Sequence, residues 1–267
     1  MPLASSADVL PGDVDGNGFV NIGDLTELID LLLNNQTDVG LYPAADVDGN
    51  GAISIDDVTE LIDVLLNTKY HEWVDLGLPS GTLWATCNVG AESPEEYGDY
   101  FAWGETEPKS VYDWSTYKWC NGSEFTLTKY CTYSSDGYNG FVDSKTELDP
   151  EDDAAYVNWG PSWRMPTVEQ LAELCNNCTW TWTQRNGEDC EMVTGPNGNT
   201  LFLPAQGQRW NESLDYEGWK GFYWSRTLLN GSSRHARIIH FGNGWGSITN
   251  IGRCYGFPVR AVRVSQN

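Results

Sequence analysis

Two sets of oxygen-bearing residues recur at one spacing near the start of the chain. Asp13, Asp15, Asn17, Asn21 and Asp24 offer side-chain oxygens, and Phe19 offers its carbonyl. Thirty-three residues on, Asp46, Asp48, Asn50, Ser54 and Asp57 repeat the pattern with the carbonyl of Ala52. Both sets fit D-x-[DN]-x-[DN]-G with an acid at loop position twelve. Gly18 and Gly51 fall at position six, where the sharp turn needs a residue without Cβ. Hard oxygens closing around one point select Ca²⁺ over softer metals. Carboxylates crowded around an empty centre repel one another, so metal binding and folding are coupled. The expectation is two calcium ions, one per loop.

The elements that position these loops repeat with them, since DVDGNGFVNIGDLTELIDLLL answers DVDGNGAISIDDVTELIDVLL. Each loop runs into one helix. Ile22, Leu25, Leu28, Ile29 and Leu32 make an apolar stripe on the first, and Ile55, Val58, Leu61, Ile62 and Leu65 make one on the second. Either helix alone is too short to persist in water, so the two stripes are expected to bury each other. On these residues, 11–67 resembles a dockerin, a pair of calcium loop-helix repeats without the entering helix of an EF-hand. The resemblance implies a cohesin-like partner, with contacts at loop positions ten and eleven. Those positions hold Ile22-Gly23 and Ile55-Asp56 rather than the hydroxyl pair of the cellulosomal type.

The 267 residues carry a formal net charge of −23, which repels nucleic acid and anionic membrane alike. No apolar run reaches the ~20 residues of a membrane span. All thirteen tryptophans lie beyond Tyr70, which divides the chain. Residues 1–10 read as a leader or expression tail, without the basic and apolar regions of a signal peptide. Residues 11–67 form the calcium module, 68–71 a linker and 72–267 an aromatic domain. Cys175, Cys178 and Cys190 fall short of the four ligands of a structural zinc site, so the seven cysteines read as disulfides or buried free thiols.

The second candidate site is the C-terminal stretch 221–263. From Gly218 onward there are seven bases and no acid. Between Arg226 and Ile251 there is no Lys, Glu, Gln or Met, and polar residues alternate with apolar ones along strand-like runs. This mixture predicts a recognition face formed by Arg226, Leu228, Ser232, Ser233, Arg234, His235, Arg237, Ile238, His240, Trp245, Ser247 and Thr249. Period-two alternation along Arg237–Phe241 sends Ile239 and Phe241 into the core, and Ile238 and His240 outward. A final hairpin whose bases merely answer the acidic bulk is the plainer alternative.

Around that stretch the domain reads as short strands and Gly-rich loops, with one helix capped by Thr167 and closed by Gln170 in a capping box. Leu171, Leu174, Cys175 and Cys178 form the inward stripe of this helix. The words VDLGLPSGTLWAT, YGDYFAWGETEPK, WRMPTVEQLAEL, LFLPAQG, GFYWS and GFPVRAVR resemble the FISUMP-type major paralogous domain of secreted bacterial proteins. That family is similar to the formylglycine-generating-enzyme branch of the C-type lectin fold. The resemblance implies an α+β domain of twisted antiparallel strands, few helices and many loops, with Trp73–Leu76 pairing Val259–Val264. It also resembles the variable proteins of diversity-generating retroelements, whose adenine-directed mutagenesis yields no Lys, Glu, Gln, Met or Trp. Trp245 departs from that rule and implies a scaffold position. No nucleophile elbow, metalloprotease helix or phosphate loop is present, and Cys254 lacks the cysteine neighbour that formylglycine-generating chemistry uses. The expected function is therefore non-catalytic: a secreted or surface adhesin-like protein that binds a protein or glycan ligand and is tethered by the calcium module. An assembly module acting through the dockerin-like part is the alternative, with a formylglycine-generating enzyme as the minor one.

Overall fold

The computed structural model describes residues 10–17, 20–67 and 71–264. The leader (but for Leu10), Gly18, the Phe19 carbonyl ligand and most of the linker lie outside the described residues. The chain divides into two compact units, one running to Tyr70 and the other starting at His71.

In the first unit, helix α1 (Ile22–Leu33) and helix α2 (Ile55–Asn67) pack together, with the turn Pro43–Ala45 between them in sequence. Asn21 caps α1 by accepting from the Gly23 amide, and Asp24 returns a bond to the Asn21 amide. Leu28, Leu31, Ala45, Ile53, Val58 and Leu61 form the core. The expected stripes are only half inward. Leu25, Leu32 and Leu65 pack partly buried against that core, whereas Ile22, Ile29, Ile55 and Ile62 are exposed. Two helices can cover only a narrow strip of each other, so the edges of a wide apolar stripe stay in water.

The second unit is mixed α/β, with few helices and several small antiparallel sheets. Strand β1 (Trp73–Asp75) pairs β2 (Thr82–Ala85), which pairs β11 (Val262–Val264). The two end strands thus share a sheet but do not pair directly, because Trp84 of β2 sits between Val74 and Val262. Helices α3 (Ala154–Trp159) and α4 (Val168–Asn177) follow, α4 having the Thr167–Gln170 capping box. A meander of β3 (Thr179–Arg185), β4 (Glu188–Thr194) and β5 (Thr200–Pro204) leads to the hairpin β6 (Gln206–Trp210) and β7 (Ser213–Glu217). Strands β8 (Gly221–Leu228), β9 (His235–Phe241) and β10 (Gly246–Gly252) complete the fold, with β9 central.

That last sheet is buried on both faces near β9. On one face Trp224, Leu228, Ala236 and Ile238 join Trp103 and Phe257. On the other, Tyr223, Ile239 and Phe241 meet Leu171 and Leu174 of α4. A Cβ on Gly221 would lie 2.0 Å from the Phe241 ring, so only glycine fits opposite that phenylalanine.

The long loops of residues 86–147 are held by buried polar bonds instead of strands. The Trp103 indole donates to the Ser225 carbonyl at 2.8 Å, and the Tyr117 hydroxyl to the Trp103 carbonyl at 2.6 Å. Arg253, fully buried, donates to Tyr117 Oη and to the carbonyls of Tyr130, Ser233 and Lys129 at 2.8–3.0 Å. Its guanidinium also lies over the Trp103 ring, 5.0 Å from the centroid. All seven cysteines are free thiols.

Candidate functional site

The loop-helix repeats bring their acids together. Ligand oxygens of Asp13, Asp15 and Asp24 lie within 4.8 Å of one another, as do those of Asp46, Asp48 and Asp57. The position-twelve acids are fully buried and act twice. Asp24 accepts from the Asp15 amide at 3.1 Å and the Asn21 amide at 2.7 Å. Asp57 accepts from Val47 at 2.8 Å and Ser54 at 2.7 Å. Each thus ties its loop to the start of its helix. At the loop mouths Asn17 and Asn50 bond Asp15 and Asp48, and the Ala52 amide donates to Asn50. Asp46 Oδ1 is buried without a hydrogen-bond partner, an arrangement that costs free energy unless a cation completes it. The all-oxygen donor set and this orphaned carboxylate oxygen both fit calcium.

A third acid group, Asp149, Glu151 and Asp152, went unnoticed in the sequence. Its centre is occupied by Lys129, whose ammonium lies 2.7 Å from Asp149, 3.4 Å from Glu151 and 2.6 Å from Asp152. Burial works against the Lys129 charge, but hydrogen bonds to Asp149 and Asp152 outweigh it and raise its pKa. This cluster is an ion-pair network that orders a loop.

The C-terminal stretch is mostly not a free face. Leu228, Ser233 and Ile238 are buried, which corrects their placement as contact residues. Ile238, at 1 % exposure, points inward because both faces of β9 are covered, so period-two alternation there separates two cores instead of core from water. Ser233 Oγ accepts from the Thr132 and Tyr133 amides, pinning the loop opposite. Arg226 pairs Glu147 at 3.2 Å, and Arg234 pairs Glu124 at 3.0 Å and Asp136 at 3.5 Å. Of the seven C-terminal bases, Arg253 and Arg260 are core. Arg260 donates to Asn88 Oδ1 and to the carbonyls of Ala85, Thr86 and Phe202. Ser232 bonds His235 Nδ1 at 2.8 Å, and burial together with the Arg234 charge lowers the His235 pKa. Arg237 is half-buried.

Of the candidate residues only Trp245 and Ser247 are exposed, at the β9–β10 end, with His240 and Thr249 half-buried beside them. His240 faces Ser247 across the ladder, stacks near-parallel on Phe222 at 6.2 Å and meets the edge of Trp245 at 4.9 Å. Burial, with the Lys220 charge adding to it and a backbone contact at Ser247 opposing, holds the imidazole below its usual range. The turn carrying Trp245 is clamped from below by Glu191, a fully buried carboxylate that accepts from the Gly244 amide. Burial raises the Glu191 pKa, while the backbone bonds of Gly244 and Trp245 oppose the rise. The signal for Glu191 was its place beside Val193 on the inward face of an alternating strand.

Residues 11–66 match the dockerin type I domain, and this segment is a dockerin module. No curated protein and no solved structure matches the chain. Dockerin modules bind calcium, which agrees with the donor sets of both loops. The chain therefore carries a module of calcium-dependent assembly or tethering. Among the described residues no helix is long and apolar enough to cross a membrane.

Proposed function

We propose that this is an extracellular, non-catalytic binding protein that a two-calcium dockerin module docks onto a cohesin-like partner. The unit from His71 onward is its cargo, a lectin-like scaffold with a ligand-binding surface. The observation that carries the docking is a duplicated apolar surface. Ile22 and Ile55, thirty-three residues apart in equivalent repeats, are 69 % and 68 % exposed, and Ile29 and Ile62 repeat the arrangement one helical stretch on. Exposed isoleucines at matched positions do nothing for the module's own core, whereas they supply the apolar centre of an interface. When bound, calcium would neutralise Asp13, Asp15 and Asp24 in one loop and Asp46, Asp48 and Asp57 in the other, fixing the helix starts that present Ile22 and Ile55.

The ligand-binding surface is narrower than the stretch 226–251. It centres on the exposed Trp245 and Ser247, with the half-buried His240 and Thr249 beside them at the sheet end. Variation of the retroelement type would be tolerated at Ser247 and Thr249 but not at Leu228, Ser233 or Ile238, since changes there disturb packing. Surface plasmon resonance against a panel of immobilised cohesins, with calcium and with EGTA, tests the docking. Calcium-dependent binding that Ile22→Ser/Ile55→Ser weakens supports it. Binding that survives both EGTA and the double substitution, or none to any cohesin, refutes it.

A further inference from the structure

Three large aromatic side chains stand in water at the end of the second unit's last strands: Tyr216 of β7 at 51 %, Trp219 of the β7–β8 turn at 77 % and Trp245 of the β9–β10 turn at 44 % exposure. The β7–β8 and β9–β10 turns that carry the two tryptophans are neighbours, because a Cβ on Gly242 would lie 3.1 Å from the Trp219 carbonyl. Beneath them rings connect across the sheet end, from Tyr216 to the buried Phe222 at 6.1 Å, on to the half-buried His240 at 6.2 Å and to Trp245 at 4.9 Å. We infer that the exposed rings of Tyr216, Trp219 and Trp245 form a stacking surface for a neutral polysaccharide chain; this rests on the ligand-binding reading above and names its ligand class.

Three independent costs mark the row as built for contact. Tyr216 sits at φ +62°, a left-handed conformation that Gly or Asn adopts more cheaply, yet its ring is displayed to solvent. The Trp245 turn is held by a buried carboxylate whose pKa burial raises. Gly246 packs so closely beneath Trp180 that a Cβ would fall 2.9 Å from the indole, which fixes the hairpin end. A surface held this firmly loses little entropy on binding.

The chemistry of the row selects the occupant. The carboxylates of Asp215 and Glu217 flank Tyr216 on β7 and disfavour a polyanion there. A typical protein interface mixes aliphatic with aromatic side chains, and the exposed aliphatic residues of this unit, Val142 and Val157, lie on other segments. Ring faces carry partial negative charge and attract the polarised C–H edges of a pyranose, while Ser247, Lys220 and His240 offer hydrogen bonds to hydroxyls. An open row across two turns, not a closed pocket, suits successive sugar units of a chain.

The test is affinity gel electrophoresis of the full chain in calcium. Gels contain hydroxyethylcellulose, xyloglucan or galactomannan, with polygalacturonate as the anionic probe. Wild type should be retarded by a neutral polysaccharide, and Trp245→Ala and Trp219→Ala should each bind about tenfold more weakly. Phe125→Ala, which removes an exposed ring elsewhere, should match wild type, and unchanged thermal-melt midpoints show that the variants fold. Retardation by none of the neutral polymers, by polygalacturonate alone, or as strong in the two tryptophan variants as in wild type overturns the inference. Should a protein ligand instead bind at Trp245, the ligand-binding reading stands and the sugar assignment falls. Cohesin docking, measured separately on the same variants, reports on the first unit alone.

Discussion

Ile238→Ala discriminates between a recognition strand and a core strand. Ile238 is paired with Trp224 on one side and Thr249 on the other, and shares a core with Trp103, Leu228, Ala236 and Phe257. Truncation to alanine deletes three carbons, worth ~2.4 kcal/mol at ~0.8 kcal/mol per buried methylene. Rigid rings on several sides limit collapse of the gap, so a cavity term brings the expected loss to ~3–4 kcal/mol, inside the range of buried Ile truncations. For a domain of this size ~1 kcal/mol moves the midpoint by ~2–4 °C, so the melt should fall by ~6–16 °C. Ser247→Ala, on the exposed face of the adjacent strand, should stay within ~0.5 kcal/mol of wild type. Paired thermal and urea melts measure both. A variant at position 238 that melts within a degree of wild type would show that the residue faces solvent, and the two-core account of β9 would be wrong.

EGTA should abolish much of the helical far-UV signal of the first unit while leaving tryptophan fluorescence unchanged, since every tryptophan lies beyond Tyr70; a large fluorescence change would contradict separate folding of the units. Arg253→Met should destabilise the second unit by at least ~3 kcal/mol, because the buried carbonyls of Lys129, Tyr130 and Ser233 lose their donor; urea melts close to wild type would refute this. Glu191 has a folded-state pKa raised above its ordinary 4.5, so the folded state takes up a proton more readily than the unfolded one. Its ionisation therefore costs stability at neutral pH, and that cost is relieved as pH falls toward 4.5. The melting difference between Glu191→Gln and wild type should shrink over that fall, and a difference that widens instead would reverse the sign.

The calcium module was legible because its chemistry is local. Ligands within one loop need only a short turn to meet, and the same arrangement is written twice, at Asp13–Asp24 and Asp46–Asp57. The α4 helix was equally local, its capping box depending on Thr167 and Gln170 alone. What local pattern left undecided was which apolar residues reach a core. Ile22 and Ile55 match the stripe but fall outside the narrow strip that two helices share.

In the second unit, alternation identified β9 as a strand, but whether Ile238 meets water depends on what packs on each face. Trp103, brought from far away in the chain, covers one face and α4 the other. Charge was undecided for the same reason. Arg253 and Arg260 read as surface bases until distant carbonyls from residues 85–86, 129–130 and 202 converged on them. Composition and spacing thus picked out the acidic groups of the two loops, the division near Tyr70 and the strand-rich character of the aromatic domain. Tertiary structure alone decided which residues of 226–251 are accessible and drew Tyr216 and Phe222 into line with His240 and Trp245, because burial and proximity are set by contacts between segments remote in sequence.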